Sequence, residues 1–324
     1  MDPNVDKPKG HPTVVLASNF NASNDATILR KAMKGFGTDN AALISVLCHR
    51  SCDQRIEIAK AFKTEYGKDL IADIRSETSG NFENVLVSLL TPTIEFYCNE
   101  LFRAMDGIGT DENVLIDVIC TLNNQDMKEI NERFQKKFSK TLESYLRGDT
   151  SGFMKRLMTS LSTGNRDESM KTDVSSAQQD ASALKKAGVD VCGTDESEFI
   201  RILCSRNYEQ IKLVCKEYQK LAGNTLENDI KREFSGDIEE ALLAIVRYAN
   251  NPAEFFARRL HKSMAGLGTN DRSLIRLCVL RCEIDMADIK DAFQRLYGKS
   301  LASFIKGDCS GNYKKSLLAL CGEN

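Results

Sequence analysis

MKGFGTD, residues 33–39, is a short glycine-containing stretch that recurs along this chain. Three related stretches follow it: MDGIGTD at 105–111, VDVCGTD at 189–195 and MAGLGTN at 264–270. When the second glycine of each is taken as an origin (Gly37, Gly109, Gly193 and Gly268), the copies lie 72, 84 and 75 residues apart. A repeat of this length indicates supersecondary modules that bury their apolar faces against one another.

Residues at fixed distances from these origins confirm that the copies share one register. Positions +6, +7, +9 and +10 are apolar in all four copies, beginning with Leu43, Ile44, Val46 and Leu47. An aromatic residue stands at +25 in each copy: Phe62, Phe134, Tyr218 and Phe293. A leucine stands at +33: Leu70, Leu142, Leu226 and Leu301. An acid stands at +40 (Glu77, Asp149, Glu233 and Asp308) and a glycine at +43 (Gly80, Gly152, Gly236 and Gly311).

The apolar spacing within each module predicts helices. The pattern +6, +7, +9, +10 follows one face of a helix with 3.6 residues per turn, and alternating strand patterns are absent. We therefore predict an all-α fold, with helices in the first module near Ala26–Met33, Gln54–Tyr66 and Phe82–Leu90. The threonine after each origin is predicted to cap the helix that follows. These are Thr38, Thr110, Thr194 and Thr269.

The unequal spacing of the copies predicts the domain organisation. The longest interval has its surplus in a polar stretch without apolar periodicity, which we interpret as a linker over residues 163–176. The modules are then predicted at 20–90, 92–162, 177–249 and 251–322, after an N-terminal tail over residues 1–19.

Composition excludes several classes of protein. The 324 residues carry a formal net charge of −2, which argues against nucleic-acid binding through bulk positive charge. No apolar run approaches the length of a membrane span. Eleven cysteines without paired spacing, and no signal-peptide pattern, predict reduced thiols and a cytoplasmic location. The three histidines are scattered and no nucleophile constellation is evident, so no enzymatic activity is predicted.

The glycine loop and the distant acid together predict a cation site. A helical hairpin between them could return the chain to the same end of the module, so that loop carbonyls face the carboxylate. Calcium takes six to eight oxygen ligands of this kind. The loops do not match an EF-hand. With one carboxylate for each ion, such a site should be weak alone and should leave positions open for phosphate oxygens.

The repeated motifs, with their paired acids, closely resemble those of the annexins, and the resemblance covers about 300 residues. The resemblance implies four modules of about five helices each, arranged as a slightly curved disc. It also implies reversible, calcium-dependent binding to acidic phospholipid membranes, with a role in membrane organisation or trafficking. The protein would be cytoplasmic and would lie peripherally at membranes when calcium rises. A protein partner of the N-terminal tail and self-association on membranes stay open.

The resemblance also implies the ligands of four Ca²⁺ sites. The first would use carbonyls of Met33, Gly35 and Gly37 with the Glu77 carboxylate, and the second those of Met105, Gly107 and Gly109 with Asp149. The third loop is longer, and the matching residues are Gly188, Val191 and Gly193 with Glu233. The fourth would use Met264, Gly266 and Gly268 with Asp308.

Some positions depart from the annexin pattern. Annexins favour arginine at +13, and Arg50, Arg206 and Arg281 stand there, but the second module has Leu122. Tyr97 matches a position where annexins often have an acid that pairs with that arginine. A helical-repeat scaffold that binds proteins without metal would also explain the repeats, though not the constant offset between loop and acid.

Overall fold

A computed structural model describes residues 10–189, 194–266 and 268–323. These residues form twenty α-helices and no β-strand, so the predicted all-α fold is confirmed. None of the helices in this part of the chain combines the length and the apolar character needed to cross a membrane.

The helices follow one another in four groups of five. The first module contains α1 (Ala22–Ala32), α2 (Asn40–Leu47), α3 (Cys52–Tyr66), α4 (Leu70–Glu77) and α5 (Gly80–Leu89). The second contains α6 (Thr93–Met105), α7 (Glu112–Ile119), α8 (Asn124–Phe138), α9 (Leu142–Asp149) and α10 (Gly152–Ser162). The third contains α11 (Val174–Ala187), α12 (Glu196–Ser205), α13 (Tyr208–Ala222), α14 (Leu226–Glu233) and α15 (Gly236–Asn250). The fourth contains α16 (Pro252–Met264), α17 (Asp271–Arg281), α18 (Met286–Tyr297), α19 (Leu301–Asp308) and α20 (Gly311–Leu320).

The chain divides into two compact units. The first unit joins the residues up to Thr93 with those from Phe256 onward, and the second unit is Ile94–Phe255. In the first unit, α5 packs on α17 and α20, and α2 packs on α20. In the second unit, α10 packs on α12 and α15, and α7 packs on α15. Each unit therefore pairs two modules through their second and fifth helices.

The apolar positions of the register form the core. Of the sixteen residues at +6, +7, +9 and +10, only Ile200 is not fully buried. The aromatic residues at +25 and the leucines at +33 are all buried. Removal of this apolar surface from water is the main contribution that stabilises each module.

The predicted threonine caps are wrong. Each second helix of a module begins one residue later than expected, so its N-cap is the residue after the threonine: Asp39, Asp111, Asp195 or Asn270. The Asp39 carboxylate, for example, accepts from the N–H of Ala42 at 3.0 Å. The hydroxyls of three of these threonines (Thr38, Thr110 and Thr194) instead contact the residue at position +40.

The arginine at +13 has a partner on the first helix of its own module. Arg50 donates through Nε and Nη2 to the Asp25 carboxylate at 2.6 and 3.0 Å. Arg206 and Asp180 repeat this bidentate pair at 2.7 and 3.1 Å.

The same two positions explain the departures in the other modules. Tyr97 occupies the aspartate position in the second module, where Leu122 replaces the arginine. In the fourth module the matching residue is Phe256, and the Arg281 guanidinium lies 4.2 Å from the centre of that ring. The second module therefore lacks both partners of this pair, and the fourth keeps only the arginine.

The described part of the N-terminal tail packs against the fourth module. The N–H groups of Thr13 and Val14 donate to the carbonyl of Cys282, and that of Ala287 donates to the carbonyl of His11. The His11 ring lies 2.7 Å from the Asp288 carboxylate, which raises the pKa of the histidine. These contacts attach the tail to the first unit.

Most of the thiols should react much more slowly in the native protein than after unfolding. All ten cysteines of the described residues are free, and eight of them are buried. Burial raises the pKa of Cys48 to about 12 and that of Cys204 to about 11. Because the thiolate is the reactive form, a thiol reagent should label the native protein slowly and titrate close to all eleven cysteines in denaturant. A denatured count that is lower by several pairs would contradict the expectation of free thiols.

Candidate functional site

Each acid at +40 ends a short helix. Helices α4, α9, α14 and α19 all have eight residues, begin at the buried leucine of position +33 and end at Glu77, Asp149, Glu233 and Asp308. A carboxylate at this end meets the negative pole of the helix dipole, which costs roughly 0.3–1 kcal/mol when no cation is near. The placement is therefore unfavourable for the helix itself and favourable for binding a positive ion.

Hydrogen bonds bring the glycine loop to this acid. In the first module the Thr38 hydroxyl donates to the Glu77 carboxylate at 2.7 Å. In the third module the Thr194 hydroxyl contacts the Glu233 carboxylate at 3.4 Å. In the second module, where the acid is the shorter aspartate, Thr110 donates instead to the main-chain carbonyl of Asp149 at 3.0 Å. The loop and the acid, 39 residues apart, thus lie side by side in these three modules.

A second recurring bond closes each loop. The N–H of the N-cap residue donates back to a carbonyl in the last turn of the preceding helix, at 2.7–2.9 Å in all four modules. The donors are Asp39, Asp111, Asp195 and Asn270, and the acceptors are Ala32, Ala104, Ala187 and Ser263. The third loop spans one residue more than the others.

The loop glycines have a backbone that other residues rarely adopt. Gly35 and Gly37 have φ values of 113° and 84°, and Gly107 and Gly109 have 124° and 88°. The fourth loop repeats this with 106° and 89° at Gly266 and Gly268. Glycine is needed here because a side chain would strain these conformations.

The loops leave oxygen atoms available for a ligand. Among the described residues, no group donates a hydrogen bond to the carbonyls that are the expected ligands in the first two loops. These carbonyls belong to Met33, Gly35 and Gly37, and to Met105, Gly107 and Gly109. Carbonyl oxygens with one nearby carboxylate are the ligands that Ca²⁺ prefers, so the donor set fits this ion.

The predicted ligand sets are brought together to different extents. Glu77 and Asp149 lie beside their loops, as described. Glu233 lies beside Thr194, and the Glu233 Cγ is 3.6 Å from the place a Cβ on Gly188 would occupy. Val191 and Gly193 lie outside the described residues. In the fourth module, Asp308 is an exposed helix end and Met264 is buried. No three side chains of His, Cys, Asp or Glu in the described ranges lie close enough to hold a metal ion together.

Two apolar side chains at the loop tips were not predicted from the sequence to be functional residues. Phe36 and Ile108 are 111% and 109% exposed, the most exposed large hydrophobic residues in the described chain. Each lies between the two glycines of its loop, and in the sequence it is simply the variable residue of the motif. The available signal was an apolar residue in a glycine loop, outside the apolar register of the predicted helices.

Comparison with known proteins agrees with this geometry. The annexin family model matches four segments, residues 24–89, 96–161, 179–245 and 255–320. The chain belongs to the annexin family, whose members bind phospholipids in a calcium-dependent way.

Individual relatives match over nearly the whole chain. Annexin A4 of Bos taurus is 51% identical over 310 residues, which cover 96% of this chain and 97% of that protein. The solved structure of annexin III has a TM-score of 0.94 and 41% identity, with 98% of each chain covered. A calcium-bound annexin (Sm)1 structure has a TM-score of 0.88 and 34% identity, covering 97% of this chain and 93% of that one.

Proposed function

We propose that this protein binds acidic phospholipid membranes reversibly, through Ca²⁺ ions that bridge the glycine loops to lipid phosphates. The observation that carries the proposal is the contact between each of three loops and the acidic residue at a helix C-terminus, through its carboxylate in the first and third modules and its main-chain carbonyl in the second. The protein's net charge of −2 gives no bulk attraction to an anionic surface. Bound Ca²⁺ would supply positive charge where the loop carbonyls and the carboxylate meet.

The proposed Ca²⁺ ligands are those that the resemblance to annexins implies. They are the carbonyls of Met33, Gly35, Gly37, Met105, Gly107, Gly109, Gly188, Val191, Gly193, Met264, Gly266 and Gly268 with the carboxylates of Glu77, Asp149, Glu233 and Asp308. Each site supplies few protein ligands and leaves positions for phosphate oxygens. The module bounds 20–90, 92–162, 177–249 and 251–322, with a linker at 163–176, are part of this proposal, as is a cytoplasmic protein that moves to membranes when calcium rises.

Co-sedimentation with phosphatidylserine vesicles tests the function directly. The protein should pellet with vesicles in calcium and return to the supernatant when a chelator is added. Vesicles of phosphatidylcholine alone are the control for surface charge. Binding to phosphatidylserine that survives the chelator at neutral pH would contradict the bridging mechanism.

Thr38 should position the Glu77 carboxylate for the ion. Thr38→Val removes the hydroxyl that donates to this carboxylate and keeps the shape of the side chain. In a background where Asp149, Glu233 and Asp308 are alanine, we expect calcium affinity to fall about three- to tenfold, or roughly 0.7–1.4 kcal/mol. Calorimetric titration of calcium measures the change, and Thr38→Ser should restore affinity. Equal affinity of Thr38→Val and its parent would remove this role.

Phe36 and Ile108 should enter the membrane surface. Since the loops would face lipid, burial of these side chains would add apolar contact of about 1.5–3 kcal/mol each at most. The double variant Phe36→Ser, Ile108→Ser should need about three- to tenfold more calcium for half-maximal sedimentation. Calcium titration in the absence of lipid is the control and should not change. Equal calcium midpoints with vesicles would show that the tips stay in water.

A further inference from the structure

Two buried cysteines meet in the core of the fourth module. Cys278 lies in α17 and Cys321 directly follows α20, and both residues are fully buried. The two helices pack against each other. Contact with the Cys321 thiol, together with burial, raises the pKa of Cys278. Both thiols are free, so this pair is in its reduced form.

The pair is particular to the fourth module. Cys278 stands at position +10 and Cys321 at position +53 of the repeat register. In the other three modules the residues at these two positions are also buried, and none of them is a cysteine. In module order they are Leu47 and Leu90, Ile119 and Ser162, and Leu203 and Val246. Core packing at these positions therefore does not require sulfur, and the two cysteines give the fourth module a chemical property that the others lack.

A third cysteine lies nearby but has a partner within its own helix. Cys282 is about one helical turn beyond Cys278. Its thiol donates to the carbonyl of Val279 at 3.2 Å. The geometry therefore favours Cys278 over Cys282 as the partner of Cys321.

The N-terminal tail packs on the segments that carry this pair. We call residues 10–14 of the tail the strap. The N–H and the hydroxyl of Thr13 donate to the carbonyl of Cys282, and the same hydroxyl donates to the carbonyl of Leu320. The Thr13 side chain also lies against Gly322, since a Cβ on that glycine would be 3.3 Å from it. One residue of the strap therefore holds the end of α17 beside the end of α20.

We propose that Cys278 and Cys321 form a disulfide by exchange with a small disulfide, such as glutathione disulfide, when the strap detaches from the fourth module. The Cys321 thiolate attacks one sulfur of the small disulfide and releases the first small thiolate. The Cys278 thiolate then attacks the Cys321 sulfur of this mixed disulfide and releases the second. The two protein thiols are oxidised, and the small disulfide is reduced to two thiols, which take up the two protons.

Detachment of the strap is part of the proposal because neither cysteine is exposed while the strap is in place. Proteins open locally, and a reaction that needs such an opening follows the fraction of molecules that are open. The new bond would close the chain between Cys278 and Cys321, a segment that contains α18, α19 and α20. It would hold the end of α20 on α17 whether or not the strap is bound.

Incubation of the full-length protein with glutathione disulfide, in the absence of oxygen, tests the site. After the remaining thiols are alkylated, peptide mass spectrometry without reduction should find Cys278 linked to Cys321. Cys278→Ala should instead leave Cys321 as a mixed disulfide with glutathione, and Cys282→Ala should keep the linkage. Circular dichroism checks that both variants are folded. The same incubation in urea, where every thiol is accessible, confirms that the reagent is active.

A variant of the strap tests its role separately. A Cβ on Gly10 would lie 2.6 Å from the Cβ of Asp285, so Gly10→Val should displace the start of the strap. Thr13→Val removes the hydroxyl that donates to two carbonyls. The double variant should form the linkage about three- to tenfold faster than the wild type. Cys204, a buried thiol of the second unit, is the internal control, and its rate of alkylation should not change.

The outcomes decide between the parts of the proposal. The inference is overturned if the folded protein forms no linkage between Cys278 and Cys321, or if Cys321 links to a different cysteine. An unchanged rate in the strap variant would overturn the dependence on the strap. The assays contain neither calcium nor lipid, so their results are independent of the proposed function.

Discussion

Replacement of all four helix-terminal acids by alanine should abolish sedimentation with phosphatidylserine vesicles at calcium concentrations that saturate the wild type. Each single change, at Glu77, Asp149, Glu233 or Asp308, should raise the calcium midpoint only about threefold to tenfold, or roughly 0.7–1.4 kcal/mol. Several weak sites on one molecule act together through effective concentration, so the losses should multiply when the changes are combined.

The quadruple variant should remain folded. Asp149 and Asp308 are exposed, and Glu77 and Glu233 are only partly buried. Each acid also lies at the negative end of its helix, so its removal relieves an unfavourable interaction. The melting temperature without calcium should therefore equal or exceed that of the wild type. Far-UV circular dichroism and a thermal melt check this point.

A matched control removes four other acids. Asp53, Glu129, Glu209 and Asp291 are exposed and lie on the third helix of each module. Their replacement by alanine changes the net charge equally, yet the calcium midpoint with vesicles should stay near that of the wild type. The proposal fails if the helix-terminal variant is folded but still binds at the wild-type midpoint, or if the control loses binding to the same extent.

The repeat register predicted most of the fold because it reports burial. A position on a predicted helix that is apolar in four copies faces the core, and Leu43, Phe62 and Leu70 are examples that the structure buries. The start of α2 was harder to predict, because Thr38 and Asp39 are both good N-cap residues. The Thr38 hydroxyl donates instead to the carboxylate of Glu77, which lies 39 residues further along the chain. Rules that use only the residues around a helix start do not include such a contact.

The candidate site was predictable in outline and not in detail. Loop and acid share a constant offset, so their juxtaposition could be inferred from spacing. A polar pocket lined by Glu77, Asn81 and Asn312 could not, because it depends on residues that come together from opposite ends of the chain. Tyr97 and Leu122 are the two departures from the annexin pattern in the second module. The annexin resemblance already links these two positions, and the Asp25–Arg50 pair shows the contact that the first module makes there.

The ion pair between Arg55 and Glu283 should contribute more to stability than any exposed pair. Arg55 is 2% exposed, and its Nη2 donates to the Glu283 carboxylate at 2.7 Å. Its other nitrogens donate to carbonyls, including that of Leu89 at 2.6 Å. Glu283 also accepts from the N–H of Cys52 at 2.9 Å. This one carboxylate therefore satisfies a buried cation and the first turn of α3.

Glu283→Ala should destabilise the protein by about 2–4 kcal/mol, because it leaves the Arg55 charge buried without its counter-ion. The lower part of that range allows for the partial exposure of Glu283, which water can reach. Urea unfolding followed by circular dichroism measures the change. The control is Glu143→Ala, which breaks the exposed Glu143–Arg147 pair and should cost about 0.3–0.5 kcal/mol.

A second variant shows whether the buried charge is the cause. Arg55→Met removes the cation and keeps an apolar chain of similar length. If the unpaired charge is responsible, Arg55→Met combined with Glu283→Ala should lose clearly less stability than the sum of the two single losses. Additive losses would place the effect in the carbonyl and N–H contacts of Leu89 and Cys52 instead. A Glu283→Ala protein as stable as the Glu143→Ala control would contradict the prediction altogether.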